Sequence, residues 1–218
     1  MPTPTVEDYV KRLYLAQQRS DRRLVPVGEL ATAMGVVPGT ATTMVKALSD
    51  DGLVDYAPRT GVRLTRSGEQ LALHVLRRHR LIELFLVKAL GLDWSQVHIE
   101  AETLEHAVSD KVLAAIDEAL GFPQVDPHGD PIPSAKGKVA TVSAMTLTDC
   151  DIDRRMRVSR VLDQTPAFLQ FVERCGLRPG AAVRVIDRDS VADSVVVSPE
   201  GRRPVVLGMS AAGKIGVE

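Results

Sequence analysis

The sequence predicts a mostly helical protein with some β-structure: an N-terminal winged helix-turn-helix, a helical middle domain and a C-terminal small β-barrel. Apolar residues recur at helical spacing through much of residues 5–120. Residues 121–138 contain four prolines and three glycines, which favours a connection over a regular element. Beyond them, short apolar runs alternate with turn residues, as is typical of strands. We therefore expect domains at residues 1–66, 67–140 and 141–218.

The first domain shows the order of elements of a DNA-binding head. Helices are expected over residues 5–19, 27–34 and 38–50, the last with a proline in its first turn. The segments LVDYAP and VRLT alternate as strands, and RTG between them forms a turn. Helix, helix, turn, helix and hairpin together predict a winged helix-turn-helix.

The middle domain begins with a long helix from Ser67 to about Leu90. Apolar residues nearly encircle its second half, which indicates deep burial or packing against a partner chain. Two further helices are expected at about 95–107 and 109–120. In the last domain, VRVID, DSVVVS, RPVVLG and KIGVE predict strands, with one helix at about 166–175 between them.

Composition favours a cytoplasmic protein without a membrane span. The first ten residues lack the basic start and apolar run of a signal peptide. The most apolar stretch, Leu81 to Leu90, is short and interrupted by charges. The two cysteines, Cys150 and Cys175, lie far apart and match no zinc or redox spacing.

Charge is unevenly distributed along the chain. Residues 1–80 contain 12 basic and 8 acidic side chains, whereas residues 81–140 contain 4 basic and 10 acidic ones. A basic head suits phosphate binding, and an acidic middle suits cation binding.

The helix at 38–50 is the expected recognition helix, and double-stranded DNA is the expected partner. Threonine hydroxyls and methyl groups can contact phosphates and base edges, and lysine or arginine can contact phosphates. The expected DNA contacts are Pro38, Gly39, Thr40, Thr42, Thr43 and Lys46 of this helix, and Arg59 and Arg63 at the hairpin tip. A winged helix used for protein contacts remains the alternative.

Four potential metal ligands lie on one helical stripe: His98, Glu102, Glu105 and His106, at offsets of zero, four, seven and eight. Upstream, His79 and Glu83 are also four residues apart. Alone, Glu102 and Glu105 would suit a solvated helix face, and His79 and Glu83 would suit a hydrogen-bonded pair on a helix surface. Together they place carboxylates beside imidazoles, and a divalent cation would offset their repulsion and desolvation.

Other histidines and other metal chemistries are less well supported by the sequence. His74 and His128 are isolated and are expected to be ordinary polar positions. The HExxH motif of zinc hydrolases is absent, and we find neither a nucleophile nor a general-base pair, so an enzyme is not expected. A winged-helix regulator with a structural zinc remains open.

The chain resembles a known family of regulators. The DGLV continuation of the helix-turn-helix, the segment RRHRLIELFL, and VHIEAETLEHAVSD followed by GDPIP resemble the iron- and manganese-dependent repressors related to the diphtheria toxin repressor. The resemblance covers essentially the whole chain and is most specific in residues 78–110. It implies an SH3-like (FeoA-type) C-terminal domain and a homodimer that binds palindromic operators when metal is bound.

The resemblance also implies two metal sites per subunit. The regulatory site would take one ligand from the first helix and three from the stripe. The second site would take its ligands from the long helix and the stripe, with possible additions from the third domain. By position, the regulatory ligands are Asp8, Glu102, Glu105 and His106, the second set is His79, Glu83 and His98, and the third-domain candidates are Asp163 and Gln164.

Two positions favour Mn²⁺ over Fe²⁺ as the effector. Iron-responsive members of the family tend to carry Met and Cys where this chain has Asp8 and Glu102, as manganese-responsive members do. Carboxylates suit Mn²⁺, whereas sulfur suits softer or later metals. Manganese repressors often have a second acid one turn after the aspartate, where this chain has Lys11, and the His79–Glu83–His98 set resembles the iron branch. An Fe²⁺-responsive repressor is therefore the alternative.

Overall fold

The computed structural model describes residues 2–19 and 24–218. The chain divides into two compact units, Met1–Arg78 with Pro133–Lys138, and His79–Ile132 with Val139–Glu218. No helix in the described ranges is both long and apolar enough to cross a membrane.

The first unit contains the winged helix-turn-helix that the sequence predicts. Helices α1 (Pro4–Arg19), α2 (Val27–Ala33) and α3 (Pro38–Asp50) precede a hairpin of β1 (Val54–Ala57) and β2 (Gly61–Leu64). Their apolar faces form one buried cluster, in which the most deeply buried side chains include Leu13, Leu30, Ala41, Val45, Leu48 and Val62. This packing leaves the opposite face of α3 exposed.

Helix α4 (Arg66–Lys88) begins in the first unit and continues into the second. Gly68 lies in its first turn, where a Cβ would approach the carbonyl oxygen of Leu53 to 2.0 Å, so the close approach of this turn to the end of the head requires glycine. The second half of α4 is buried, as predicted, but four of its buried residues are charged or polar: Arg78, His79, Arg80 and Glu83.

Two shorter helices follow, α5 (Val97–Leu104) and α6 (Asp110–Ala119). The hydroxyl of Ser109 accepts a hydrogen bond from the backbone N–H of Val112 and so caps α6. Two apolar clusters pack these helices against α4: one contains Leu81, Leu84, Leu113 and Ile132, and the other contains Ile82, Leu86, Val97 and Ala101. The segment that carries the predicted ligands thereby meets the face of α4 that carries His79 and Glu83. Only His98 and Glu102 lie on α5, because the helix ends at Leu104 and not near residue 107. Glu105 and His106 follow in a turn, so the prediction of a single four-ligand helical stripe is wrong at its last two positions.

The C-terminal domain is a five-stranded antiparallel sheet in the order β6-β5-β4-β3-β7. Its elements are β3 (Met156–Val161), α7 (Pro166–Cys175), β4 (Ala182–Asp189), β5 (Ser194–Pro199), β6 (Val205–Gly208), α8 (Met209–Ala212) and β7 (Ile215–Val217). Four strands and α7 match the sequence prediction. Strand β3, MRVSRV, was not predicted, because polar residues occupy half of it and mask the buried Met156, Val158 and Val161.

Candidate metal centre and DNA-binding surface

His79 and Glu83 of α4 meet His98 of α5 inside the second unit. Nε2 of His79 lies 3.0 Å from Oε1 of Glu83 and 3.0 Å from Nδ1 of His98, and Nδ1 of His98 lies 3.1 Å from the same Glu83 oxygen. The four-residue spacing on α4 places its two side chains on one face, and α5 supplies the third. One ligand atom from each of these residues can therefore converge on one cation.

The other nitrogen of His79 faces two ligands of the predicted regulatory set. Nδ1 lies 2.5 Å from Oε2 of Glu105 and 4.0 Å from Oε1 of Glu102. Nε2 of His106 lies 3.5 Å from Oε1 of Glu105, which is fully buried. The structure thus brings His79, Glu102 and Glu105 together as a second metal-capable group.

A third group lies deeper and was missed from the sequence. Glu83, Asp126 and His128 are all buried and offer ligand atoms within 4.8 Å of one another. His128 was expected to be an ordinary polar residue, because an isolated histidine in a Pro/Gly-rich segment has no periodic partner. The sequence signal that could have indicated it is the run DPHGDP, in which Asp126 accepts hydrogen bonds from the backbone N–H groups of His128 and Asp130 and folds the segment into a turn.

The hydrogen bond from His128 to the backbone carbonyl of Trp94 determines which ring nitrogen of His128 is free to bind a proton or a metal ion. Nε2 lies 2.8 Å from the carbonyl oxygen of Trp94, and since a carbonyl only accepts, Nε2 carries a proton. In the neutral ring, Nδ1 then presents a lone pair. Nδ1 is buried without a hydrogen-bond partner and lies 3.7 Å from Oε2 of Glu83. Two lone pairs face each other unless a proton or a cation lies between them.

Burial and neighbouring charges shift the pKa values of Glu83, Asp126 and His128. Burial would raise the pKa of Glu83, but the charge of His79 and the side-chain contacts of His128, His79 and His98 hold it well below its usual value. Burial, with repulsion from Glu83 and Asp130, raises the pKa of Asp126 to about 7. Burial lowers the pKa of His128, but the carboxylates of Glu83 and Asp126 outweigh this and raise it. Arg80, whose Nε lies 3.6 Å from Oδ2 of Asp126, offsets part of this repulsion, and a proton or a bound cation would offset the rest.

The donors in these groups fit a divalent cation of the first transition row. Every candidate atom is an imidazole nitrogen or a carboxylate oxygen, and the cysteines Cys150 and Cys175 are in none of the groups among the described residues. Imidazole and carboxylate suit ions such as Mn²⁺ and Fe²⁺, whereas thiolates are the soft ligands. Nδ1 of His128, which has no hydrogen-bond partner, adds a buried lone pair that could bind a metal ion together with the nearby oxygen of Glu83.

Asp8 and Lys11 lie on α1 in the first unit. Asp8 is half-buried, and Lys11 is buried. The preceding residue, Glu7, pairs with Arg78 of α4 at 2.6 Å, and this buried ion pair fixes α1 against α4 within that unit. The participation of Asp8 in the regulatory site stays a prediction.

The two third-domain candidates bind other partners. Asp163 Oδ2 pairs with Nζ of Lys214 at 2.8 Å, and its Oδ1 accepts hydrogen bonds from the N–H and hydroxyl of Thr165 at the start of α7. Gln164 donates from Nε2 to Oδ2 of Asp130 at 2.9 Å. Asp163 belongs to none of the metal-capable groups found in residues 2–19 and 24–218. Asp163 is therefore not grouped with His79, Glu83 and His98, and the participation of Gln164 stays a prediction.

The predicted DNA contacts of α3 lie on its exposed side. Pro38, Gly39, Thr40, Thr43 and Lys46 are exposed. Thr42 is half-buried, and its hydroxyl donates to the carbonyl oxygen of Pro38 at 2.8 Å, while Thr43 donates to that of Gly39 at 3.1 Å. Both methyl groups are thereby oriented by the helix itself, which suits contacts to thymine methyls.

The two wing arginines occupy different positions. Arg59 lies in the turn between the strands with a positive φ of 65°. Arg63 does not lie at the tip: it is on β2 opposite Asp55 and pairs with it at 3.0 Å. The hairpin register explains this, since Arg63 follows the turn by two residues and enters the ladder.

Three family models match consecutive parts of the chain. One described as the iron dependent repressor N-terminal DNA binding domain matches residues 1–62, and one described as the iron dependent repressor metal binding and dimerisation domain matches residues 65–134. A FeoA domain model matches residues 145–218. These matches confirm the predicted fold class: a DNA-binding domain, a helical middle domain and a FeoA-type C-terminal domain follow one another along the chain.

Individual relatives are similar along most of the chain. The HTH-type transcriptional regulator MntR of Lysinibacillus sphaericus is 35% identical over 127 residues, or 58% of this chain and 89% of the relative. The diphtheria toxin repressor of Corynebacterium diphtheriae is 28% identical over 197 residues, or 85% of each chain. A solved structure of a manganese-dependent transcriptional repressor in complex with manganese is 42% identical with a TM-score of 0.87, covering 97% of this chain and 98% of that one.

Proposed function

The chain belongs to the family of iron-dependent repressors, and we propose on that premise that it is a Mn²⁺-activated transcriptional repressor of metal-homeostasis genes. It acts in the cytoplasm as a homodimer on palindromic operators in double-stranded DNA. Its role is regulation by binding and not catalysis.

The observation that carries this proposal is the position of His79. Its two ring nitrogens face Glu83 on one side and Glu105 on the other, so the buried cluster spans both predicted ligand sets. Buried carboxylates and imidazoles at this density need a compensating cation. A site of this kind gives a repressor two states that differ in metal occupancy.

In the proposed mechanism, the metal joins the DNA-binding head to the middle domain. The regulatory ion takes Asp8 from α1 together with Glu102, Glu105 and His106. Without the ion, the heads sample several spacings; with it, they are held at the spacing of the two half-sites. A coupling of about 1–3 kcal/mol per site is sufficient for a useful switch. The second ion binds beside it, at His79, Glu83 and His98.

The dimer face is proposed on α5 and α6. Large apolar side chains are exposed there, including Ile99, Leu104 and Val112. A soluble chain that leaves such side chains exposed on adjacent helices commonly covers them with a second copy. The predicted ligands His98 and Glu102 lie on α5 itself, so metal occupancy can influence the dimer face.

The preference for Mn²⁺ rests on Glu102. Oε1 of Glu102 lies 4.0 Å from Nδ1 of His79 and 3.5 Å from Nε2 of His98. An oxygen ligand therefore occupies the position at which iron-responsive members of the family tend to carry a cysteine sulfur. Hard oxygen donors favour Mn²⁺. The second candidate, an Fe²⁺-responsive repressor, is favoured by the assembled His79–Glu83–His98 group.

A metal panel distinguishes these candidates. Binding to a candidate operator is measured under anaerobic conditions with chelator, Mn²⁺, Fe²⁺ or Zn²⁺. The proposal expects tight binding with Mn²⁺ and weak binding with chelator. Stronger activation by Fe²⁺ at equal free concentration would establish the alternative effector, and unchanged binding in chelator would establish a structural ion. Affinity that does not fall steeply with salt would argue against phosphate contacts by Lys46 and the wing.

A further inference from the structure

Among the described residues, the C-terminal domain contributes no member to the metal-capable groups, but it contacts one of these groups. The two ligand candidates of this domain have other partners: Asp163 pairs with Lys214, and Gln164 donates a hydrogen bond to Asp130. Two other connections reach the cluster. The backbone N–H of Val161 in β3 donates to the carbonyl oxygen of His128 at 2.8 Å, and Trp94 packs in the core of the C-terminal domain.

Trp94 is held by two residues of the C-terminal domain. Its indole Nε1 donates to Oε2 of Glu173 in α7 at 3.0 Å, and the guanidinium carbon of Arg178 lies 4.8 Å from the ring centroid. Glu173 and Arg178 also pair with each other at 2.7 Å. Since Trp94 is 2% exposed, both of its faces are fixed by packing as well as by these contacts.

Trp94 in turn holds His128. Its carbonyl oxygen accepts from Nε2 of His128, and the two rings stack with centroids 5.6 Å apart and planes at 28°. Gly129 allows the turn to lie directly on β3, because a Cβ there would approach the carbonyl oxygen of Ser159 to 2.1 Å. The ring of His128 therefore has one orientation, with a proton on Nε2 and with Nδ1 aimed at Glu83.

We propose that the C-terminal domain sets the metal affinity of the Glu83–Asp126–His128 group through Trp94, which acts as a positioning residue and not as a ligand. Fixing the tautomer and orientation of a ligating histidine raises its affinity for the ion, and loss of such an outer contact typically costs about 10- to 100-fold. The inference rests on the proposed function that Mn²⁺ is the effector, and it adds the Glu83–Asp126–His128 group as a Mn²⁺ site that shares Glu83 with the site at His79, Glu83 and His98.

The chain offers matched variants for a test in the full-length protein. Glu173→Ala removes the acceptor of the indole N–H, and Glu173→Gln restores an acceptor oxygen. Glu200→Ala is the control: Glu200 lies in the same domain and pairs with Arg155 in an exposed ion pair. Mn²⁺ binding is measured by calorimetry. The His106→Ala variant shows which of the measured binding events belongs to the regulatory site, because that event is lost in this variant. Emission of Trp94, the single tryptophan in the sequence, gives a second readout.

The expected result is that Glu173→Ala weakens one class of Mn²⁺ sites about tenfold and leaves the His106-dependent class unchanged. Glu173→Gln and Glu200→Ala retain wild-type affinity, and the metal-induced change in Trp94 emission shifts its midpoint in Glu173→Ala alone. Wild-type affinity in Glu173→Ala, or an equal loss in both classes, overturns the inference while Mn²⁺ binding by the wild-type protein sustains the proposed function. A wild-type protein that binds no Mn²⁺ overturns both.

Discussion

Nδ1 of His79 lies 2.5 Å from Oε2 of Glu105, and its Nε2 lies 3.0 Å from Oε1 of Glu83. A single imidazole thus contacts a predicted regulatory ligand and a predicted second-site ligand. Metal bound at either nitrogen leaves the other to donate a hydrogen bond, so occupancy on one side orients a carboxylate on the other.

His79→Ala should therefore affect both sites. We expect Mn²⁺ affinity to fall at least 10- to 100-fold in one class and to decrease in the other, with loss of metal-dependent DNA binding. Equilibrium dialysis with operator-binding assays measures both. His74→Ala is the control, because His74 is an exposed histidine of the same helix and is in none of the metal-capable groups among the described residues. Equal metal affinity in the two variants would contradict the role of His79.

Glu102→Cys tests the choice of metal. Replacing the carboxylate by a thiolate should shift the response from Mn²⁺ toward Fe²⁺ or Co²⁺, because the softer donor binds later metals more tightly. The measurement is the metal concentration giving half-maximal operator binding for each ion under anaerobic conditions. If the variant still responds best to Mn²⁺, ligand hardness at this position does not determine selectivity.

Asp8→Ala tests whether the head supplies a ligand. We expect the fold and the basal, metal-independent DNA affinity to be retained, while activation by Mn²⁺ falls by about the 5- to 150-fold expected of one coupling term. Glu29→Ala serves as the control, since Glu29 is an exposed acid on α2 of the same unit. Full Mn²⁺ activation in Asp8→Ala would remove this residue from the regulatory site.

Stability of the metal-free protein should fall as the pH rises from 6 to 8. Burial, with repulsion from Glu83 and Asp130, raises the pKa of Asp126 to about 7, from about 3.9 in the unfolded chain. The folded state then binds more protons than the unfolded state between these values, so raising the pH destabilises it. The raised pKa of His128 has the same sign, because its contribution is present below about 6.5 and lost above its folded value.

Thermal unfolding in chelator measures this dependence. Asp126→Asn should flatten it, since the amide oxygen keeps the backbone hydrogen bonds of Asp126 without a charge to bury. Excess Mn²⁺ should also remove the loss at pH 8, because the ion replaces the proton as the neutralising charge. A midpoint that rises between pH 6 and 8 in the metal-free wild type would contradict this assignment.

Much of the cluster was predictable from local spacing. His79 and Glu83 share one face of α4 because they are four residues apart, and His98 and Glu102 of α5 follow the same rule. Glu105 and His106 do not, because α5 ends at Leu104, about three residues before its predicted end. The other helices of the first two domains and the wing agree closely with the patterns of apolar residues and turns. Arg63 was wrongly predicted at the hairpin tip, because the sequence does not show at which residue the pairing of β1 with β2 begins.

The remaining parts depend on contacts between segments distant in sequence. Asp126 and His128 reach Glu83 only because the DPHGDP turn packs on β3, and nothing in their spacing indicates α4 as the partner. Trp94 likewise connects α7 to His128 across segments separated by more than 30 residues on either side. The engagement of Asp163 by Lys214 could not be read from the sequence for the same reason.

Metal control of DNA binding is tested most directly by fluorescence anisotropy of an operator duplex titrated with the full-length protein, once in chelator and once in Mn²⁺ at constant salt. We expect Mn²⁺ to tighten binding by at least about tenfold, within the range of a coupling of about 1–3 kcal/mol per site. Equal affinity in chelator and in Mn²⁺ would contradict it.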